Sequence, residues 1–355
     1  MHHGRNILSL NDFRVDYYQA QAPSGRLLFT FTEFSNRTLD GLGFAGKFAV
    51  ENGFDLIAIK SSLDDWYQSL PPDTFDLIGN FLADLPERHS LRATYGSSMG
   101  GYAAILFASK VSANVAFALS PQFDIGQSWD QRWAKWARIH GPIQTLTREA
   151  VRPDCRYVLA YDPMDLDRLH IERFAEVISH DMLHTVKFPC AGHPVGYFLS
   201  FMKILKEFSL AVLSGYEIPL FRDTIRARKK AYSDYYFNLS RHCLKRRKLR
   251  WANCAISKAI SLAPLNSEYR ICAAQIAEGN GDLVGAISHA AFAVATAPWH
   301  PHMAATLSRL LQRMGLYGQA LHYLDAASSL APGAAFATQR AALERAMQRS
   351  TTAIG

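Results

Sequence analysis

The sequence predicts two successive folds: an α/β fold with a mostly parallel sheet and helices on both of its faces, then an all-α helical repeat. Three observations in this chain of 355 residues lead to that prediction. Short apolar runs alternate with helical stretches from residue 12 to about 215, strand signals stop near residue 216, and alanines and prolines then recur every 34 residues. Buried strands separated by helices are typical of parallel sheets. We therefore expect domains at 1–215 and 216–355.

Six apolar runs in the first domain are the predicted strands of its sheet. They span residues 27–31, 55–60, 91–95, 115–119, 156–161 and 185–188. We expect residues 12–20 to add an antiparallel edge strand. Helices are predicted near 43–51, 73–85, 101–110, 167–179 and 195–212, so that strands and helices alternate as in βαβ units.

Three sets of residues in the second domain share one period. They are Ala252, Ala286 and Ala320; Ala259, Ala293 and Ala327; and Pro264, Pro298 and Pro332, each set spaced by 34 residues. Small alanines allow helices to pack closely, and proline ends a helix. This pattern resembles tetratricopeptide repeats, which are helix–turn–helix units. The resemblance covers roughly 232–345, with a first helix at 232–244 and a terminal capping helix at 334–349.

One G-x-S-x-G motif lies in the predicted turn between strand 91–95 and the helix that follows it. It reads Gly96-Ser97-Ser98-Met99-Gly100. A serine on a sharp strand-to-helix turn is how one large class of enzymes exposes its nucleophile. The flanking glycines are needed because the turn is tight and the strand and helix pack closely. Ser97 lies one position early, so Ser98 is the candidate nucleophile.

A serine nucleophile needs a general base close to it in space. His193 is the candidate because it comes directly after the last predicted strand, in the sequence Gly192-His193-Pro194. His184 lies at the start of that strand, which is the wrong end of the sheet. His170 lies in a predicted helix, where a structural role is the simpler interpretation.

The orienting acid is sought in the acidic turn after the strand 156–161. Asp165 is our first choice because it lies four residues past the strand end. Asp162 is the second choice, although it could instead brace the turn. Asp167 has the position of a helix N-cap. Asp124, after the strand 115–119, is the remaining candidate.

With serine, acid and histidine in this order, residues 12–215 resemble an α/β-hydrolase. The resemblance implies that Ser98 attacks a carbonyl group and that His193 takes its proton and later gives it to the leaving group. It also implies an oxyanion hole made by the backbone N–H of Met99 and that of Glu33 or Phe34. Many family members carry His-Gly at the strand end where this chain has Phe-Thr, which leaves the second donor open between those two residues.

Residues 121–154 form a segment longer than the bare fold needs. Trp129, Trp133 and Trp136 fall at i, i+4 and i+7 and would share one helical face. One interpretation is a cap that lines an acyl or aromatic pocket above Ser98. The other is a helix that packs its apolar face on the core. We favour the cap.

Composition excludes several other functions. No run of 18 or more apolar residues is present, so we expect no transmembrane helix. The five cysteines show no C-x-x-C spacing and fit reduced thiols in the cytoplasm. No metal-ligand spacing, phosphate-binding loop or dinucleotide fingerprint appears, so we predict neither a metal nor a cofactor.

The formal net charge of +7 is concentrated in one segment. Residues 222–250 carry a net charge of +9 and the rest of the chain carries −2. Such a segment could suit an anionic partner such as nucleic acid, a phospholipid surface or an acidic polymer. The solvated outer face of the first repeat helix is the simpler interpretation, which we prefer.

These observations together predict a cytoplasmic serine hydrolase that cleaves an ester or thioester through an acyl-serine. The repeat domain would bind a protein partner or an extended ligand, because such repeats form concave surfaces. One alternative is an acyltransferase that uses a sugar hydroxyl as acceptor. The other is a non-catalytic scaffold that keeps the hydrolase fold only for its shape.

Overall fold

The computed structural model describes residues 4–86, 88–219, 221–331 and 336–352. The chain divides into two compact units, Met1–Arg228 and Lys229–Gly355. The first unit contains a large sheet with helices packed on it. The described part of the second unit is helical. The predicted succession of an α/β fold and a helical repeat is therefore confirmed.

Eight strands form one sheet in the first unit. They are β1 (Arg5–Ser9), β2 (Phe13–Tyr18), β3 (Arg26–Phe31), β4 (Phe54–Ser61), β5 (Leu91–Ser97), β6 (Val115–Leu119), β7 (Arg156–Tyr161) and β8 (Leu183–Lys187). Their order across the sheet is β1-β2-β4-β3-β5-β6-β7-β8. β2 pairs antiparallel with both β1 and β4, and the five other pairs are parallel. The expected antiparallel strand at 12–20 is β2, but β1 forms the edge of the sheet.

Helices pack on both faces of this sheet. The described α-helices of the first unit are α1 (Gly46–Glu51), α2 (Thr74–Ala83), α3 (Met99–Leu106), α4 (Ala134–His140), α5 (Asp167–Val177), α6 (Val195–Phe201), α7 (Leu205–Leu213) and α8 (Arg222–Arg228). On one face, Phe29 of β3 shares a core with Ile78 of α2 and Phe174 of α5. On the other face, Phe117 of β6 meets Phe208 of α7 with ring centroids 5.4 Å apart.

The second unit repeats a pair of helices. Its helices are α9 (Ser233–Lys245), α10 (Leu249–Leu262), α11 (Ser267–Gly279), α12 (Leu283–Thr296), α13 (Pro301–Arg313), α14 (Tyr317–Leu330) and α15 (Ala337–Thr352). α9, α11 and α13 begin 34 residues apart, and so do α10, α12 and α14. The six alanines of the two predicted columns each have 0% exposure, so each repeat buries the same two positions.

The prolines and the terminal helix agree with the repeat where the structure describes them. Pro264 and Pro298 each come two residues after the end of a helix, α10 and α12 respectively. Pro332 and the first two residues of the predicted capping helix lie outside the described residues. α15 occupies most of that predicted helix. Within the described ranges, no helix combines the length and the apolar character needed to cross a membrane.

Candidate active site

Ser98 occupies a strained turn between β5 and α3. Its backbone has φ 53° and ψ −118°, values that a residue with a side chain rarely adopts. The glycines on either side are required by space. A Cβ at Gly96 would lie 2.0 Å from the carbonyl oxygen of Gly100, and one at Gly100 would lie 2.4 Å from that of Phe31. The motif therefore folds as the sharp turn that its sequence predicts.

His193 lies against the Ser98 hydroxyl. Its Nε2 is 3.0 Å from Ser98 Oγ, and its Nδ1 is 3.0 and 2.9 Å from the two carboxylate oxygens of Asp167. A carboxylate can only accept hydrogen bonds, so Nδ1 carries the hydrogen. In the neutral ring, Nε2 is then free to accept the hydroxyl proton of Ser98. The structure thus brings together the predicted nucleophile and the predicted base.

The carboxylate that contacts His193 is Asp167, and not Asp165 or Asp162, which were our first and second choices. Asp167 is the first residue of α5 and has 0% exposure. It is not the helix N-cap, which is Leu166. The start of α5 turns the Asp167 side chain toward His193, whereas Asp165 bonds to the backbone N–H of Leu166 and to Arg132.

Asp162 braces the loop that carries His193. Its carboxylate accepts hydrogen bonds from the backbone N–H groups of Met164, Cys190 and Gly192 at 2.8, 3.0 and 2.8 Å. Burial raises the pKa of Asp162 above its usual value, although these N–H groups oppose the shift. These contacts match the alternative interpretation of Asp162, in which it braces the turn.

Arg132 ties Asp167 to two other carboxylates. Its guanidinium donates to Asp167 at 2.9 Å, to Asp165 at 2.8 Å and to Asp130 at 2.6 Å. Burial alone would raise the pKa of Asp167, but the contacts with His193 and the charge of Arg132 outweigh it and hold that pKa below its usual value. The carboxylate therefore stays ionised beside His193.

The same hydrogen-bond network includes His170, for which the sequence favours a structural role. His170 Nδ1 accepts a hydrogen bond from the backbone N–H of Phe123, so its Nε2 carries the hydrogen and donates to Asp130 at 3.1 Å. His170 has 0% exposure and fastens the loop after β6 to α5. Asp124 bonds to Gly126 and Gln127 of that same loop.

Gln122 is a neighbour of the nucleophile that sequence reasoning missed. Its side-chain Nε2 donates to Ser98 Oγ at 3.1 Å, and its Oε1 accepts from Trp66 Nε1 at 3.1 Å. The indole N–H fixes the orientation of the amide, so that an N–H group faces the serine. The one feature of the sequence that could have pointed to Gln122 is its position just past β6, the strand next to β5 in the sheet.

The segment after β3 lies beside the start of α3, where the predicted oxyanion donors belong. The close approach of Gly100 to the carbonyl of Phe31 places the first turn of α3 against the end of β3. Met99 is the first residue of α3, and the first N–H groups of a helix have no partner within it. Glu33 and Phe34 line a cavity together with Ser98. The donor roles of Met99, Glu33 and Phe34 stay predictions.

The cavity at Ser98 has a volume of about 470 Å³. Of the three predicted tryptophans, Trp133 lines it, and its ring lies 5.6 Å from that of His193. Trp136 packs on the Phe34 ring at 4.8 Å, outside the lining. Trp129 packs on His170 instead, with centroids 4.6 Å apart.

The expectation that all three tryptophans share one helical face is therefore wrong. Asp130 has an extended backbone and accepts a hydrogen bond from the N–H of Arg132, so helical structure begins only after it, as a short 3₁₀ turn at Gln131–Trp133 followed by α4. Trp129 precedes that turn. The segment 121–154 supplies Trp133 to the cavity wall and Trp129 to the packing of α5.

In the part of the chain that the structure describes, no group of three or more His, Cys, Asp or Glu side chains could hold a metal ion. The carboxylates of Asp165 and Asp167 are bound to Arg132, and that of Asp162 is bound to backbone N–H groups. The polar atoms that surround Ser98 are hydrogen-bond donors and acceptors fit for moving protons.

No protein-family model matches the sequence, and no curated protein matches it. Among solved structures, the chain is similar to the 2,6-dihydroxy-pseudo-oxynicotine hydrolase, with 13% identity over 61% of this chain and 70% of that one and a TM-score of 0.45. It is similar to the capsule O-acetyltransferase of Neisseria meningitidis serogroup A, with 12% identity over 56% and 93% and a TM-score of 0.40. A tetratricopeptide-repeat protein of Thermus thermophilus matches with 20% identity over 36% and 69% and a TM-score of 0.31.

Proposed function

We propose that this chain is a serine hydrolase that cleaves an ester or thioester through an acyl-serine intermediate. The observation that carries the proposal is the unbroken chain of hydrogen bonds from Ser98 through His193 to the buried carboxylate of Asp167. A hydroxyl, an imidazole and a carboxylate in this geometry form a nucleophile, its base and the group that orients the base.

In the first half of the reaction, Ser98 Oγ attacks the carbonyl carbon of the substrate while its proton passes to His193 Nε2. Asp167 stabilises the imidazolium that forms, because it is an ionised acceptor on Nδ1. The oxyanion accepts hydrogen bonds from the N–H of Met99 and that of Glu33 or Phe34. When the tetrahedral species collapses, the leaving group departs with the proton from Nε2.

In the second half, water gives a proton to His193 Nε2 and attacks the acyl carbon. The bond from carbon to Ser98 Oγ then breaks, and Oγ recovers the proton from Nε2. Gln122 donates a hydrogen bond to Oγ, which supports the charge that develops on that oxygen as it leaves. A substrate hydroxyl, such as that of a sugar, could replace water at the same point, which would make the enzyme an acyltransferase.

The helical repeats of the second unit are proposed to bind a protein partner or an extended ligand. Repeats of helix pairs stack into curved surfaces that suit such ligands. The basic segment 222–250 includes all of α8 and α9, and the four residues Lys245 to Lys248 give it its densest charge. An anionic partner there would bind less tightly as salt rises.

Rapid mixing with 4-nitrophenyl acetate tests the covalent step. We expect a burst of 4-nitrophenolate that approaches one per folded chain, followed by slower turnover, because acylation and deacylation are separate steps. Ser98→Ala should abolish the burst. Ser112→Ala is the matched control, since Ser112 has the same φ of 53° as Ser98 but is not part of the cavity lining. Well-folded protein that gives no burst would favour the non-catalytic scaffold.

A further inference from the structure

A second cavity adjoins the one at Ser98. It has a volume of about 630 Å³ and shares four lining residues with the first cavity: Phe44, Tyr95, Ser200 and Leu205. The rings of Phe44 and Tyr95 are in edge contact, with centroids 5.0 Å apart, and form part of the shared wall. A substrate held at Ser98 therefore has a second compartment within reach of its remote end.

The two compartments differ in charge. Lys47, Lys203 and Lys206 line the second cavity, and Glu51, 3.8 Å from Lys47 Nζ, is the single carboxylate among its described lining residues. The first cavity contains Glu33, and none of the described residues that line it is a lysine or an arginine. Exposed lysine side chains can turn their ammonium groups toward a ligand at the cavity mouth. The second compartment therefore favours a negatively charged group, and the first does not.

Backbone geometry places Lys203 at the end of α6. α6 ends in a Schellman arrangement, in which the N–H of Lys203 bonds to the carbonyl of Ser200 and the N–H of Ile204 bonds to that of Leu199. Lys203 occupies the left-handed position of this motif, with φ 58°. Glycine is the usual residue there because it avoids the steric cost of a Cβ. The chain instead places a lysine at the lip of the cavity.

The floor of the second cavity is suited to an aliphatic or aromatic linker. Phe44, Phe48 and Leu205 supply apolar surface, and the two hydroxyl groups of Tyr95 and Ser209 satisfy each other at 3.0 Å. No described lining side chain other than Glu51 opposes an anion. Apolar walls that lead from a reactive serine to a cationic rim match an elongated substrate with one charged end.

We propose that the second cavity binds an anionic group, a carboxylate or a phosphate, at the remote end of the molecule whose carbonyl Ser98 attacks. This inference rests on the proposed function and narrows its substrate class to ester or thioester compounds with an anionic tail. Lys203 and Lys206 hold the anion, and the linker to the reacting carbonyl lies along Phe44 and Tyr95, which line both cavities.

Equilibrium binding to the full-length Ser98→Ala protein tests the proposal without any need for turnover. Isothermal titration calorimetry would compare three 4-nitrophenyl esters of equal chain length, which end in a methyl group, a carboxylate or a phosphate. We expect an anionic ester to bind about tenfold more tightly than the methyl ester, as two exposed charge contacts allow. Preference for phosphate alone or carboxylate alone would identify the source of the anion.

The lysine variants decide whether this cavity is responsible. Adding Lys203→Met and Lys206→Met should bring the dissociation constant of the anionic ester close to that of the methyl ester. Lys110→Met with Lys187→Met is the matched control, because both lysines are exposed and neither lines the two cavities. Equal binding of all three esters, or an anion preference that survives in the Lys203 and Lys206 double variant, would overturn the proposal. Failure of the proposed function would show separately, as wild-type protein that binds esters and gives no burst.

Discussion

At the scale of single residues, one buried carboxylate accepts hydrogen bonds from two side chains. Asp167 bonds to His193 on one side and to Arg132 on the other. A carboxylate with no exposure is costly to ionise unless it is paired and hydrogen-bonded, and these two partners supply both. Arg132 thereby fixes the position of the oxygen that orients the imidazole.

Replacement of Asp167 by asparagine should impair the proposed reaction severely. The amide removes the negative charge that stabilises the imidazolium and can hold the ring in the wrong tautomer, so we expect kcat/KM for an ester to fall about 10³- to 10⁴-fold. Steady-state ester hydrolysis measures the change. Asp165→Asn is the matched control, because Asp165 also bonds to Arg132 but does not contact His193, and its loss should stay within about tenfold. Equal losses in the two variants would contradict the assignment.

In the hydrogen-bonded chain of Ser98, His193 and Asp167, sequence context points to the first two residues and misses the third. Ser98 and His193 are each marked by local context, a glycine-flanked turn and a loop after the last strand. Asp167 starts a helix, and an aspartate at a helix start is explained locally by its favourable interaction with the helix N-terminus. Only the tertiary structure reveals that its side chain faces His193. Gln122 carries no local signal apart from its position after β6.

At the scale of elements, the turn from β5 to α3 combines strain and close packing. Ser98 has a left-handed φ, and its flanking glycines bring the start of α3 against its own strand and against the end of β3. The N–H of Ser98 bonds to the carbonyl of Leu119, and the N–H of Tyr102 bonds to the carbonyl of Ser98. These contacts hold the strained residue in place.

The substitution Gly100→Ala, which adds a methyl group, should destabilise this turn. The added Cβ would lie 2.4 Å from the carbonyl oxygen of Phe31, so the backbone must shift, at a cost of about 1–3 kcal/mol in the free energy of unfolding. Gly79→Ala is the control. Gly79 lies within α2 with nothing within 4 Å of an added Cβ, and alanine there should stabilise by about 0.5–1 kcal/mol. Urea unfolding measures both, and a neutral Gly100→Ala would contradict the packing described.

Helix boundaries in two places escaped the sequence for physical reasons. The predicted helix at 195–212 is mostly apolar, yet it breaks at Lys203, a residue with no intrinsic tendency to end a helix. The tryptophan spacing at 129–136 suits a helix, but Asp130 starts a new turn within it. In both cases hydrogen bonds outweigh periodicity.

At the scale of the whole molecule, the first unit buries ion clusters that link stability to pH. Burial alone would raise the pKa of Asp130 and of Asp167. His170 and Arg132 lower the pKa of Asp130 below its usual range, and His193 and Arg132 do the same for Asp167. Because the unfolded state then binds more protons in acid, the contribution of these groups is complete above about pH 4 and is lost as the pH falls further.

Removal of the shared cation should change this acid profile. Arg132→Met leaves two buried carboxylates without their common partner, so we expect a loss of about 3–5 kcal/mol at neutral pH. That loss should shrink below about pH 4, where the wild type loses the same contribution as its carboxylates are protonated. Arg138→Met is the control, because Arg138 is exposed and its guanidinium bonds to the carbonyl of Ala134 in its own helix. Urea unfolding at several pH values measures both, and an unchanged acid profile in Arg132→Met would argue against the ion cluster.

The alternation of strands and helices and the helical repeat could be predicted from the sequence, whereas the strand at the edge of the sheet could not. Buried strands that alternate with helices indicate a parallel sheet, and the 34-residue period indicates the helix pairs that the second unit contains. β1 was missed because Arg5–Ser9 is short and mostly polar, with no buried residue in its pattern. Its pairing with β2 is a tertiary interaction that composition does not reveal.

The reactivity of Ser98 is the central claim, and an active-site-directed fluorophosphonate tests it most directly. The full-length protein would be treated with the probe and digested, and its peptides identified by mass spectrometry. We predict a single phosphonyl adduct on Ser98 that is absent from the Ser98→Ala variant, because only a serine activated by His193 reacts readily with such a probe. A folded protein with no adduct, or with an adduct that persists in Ser98→Ala, would contradict the account.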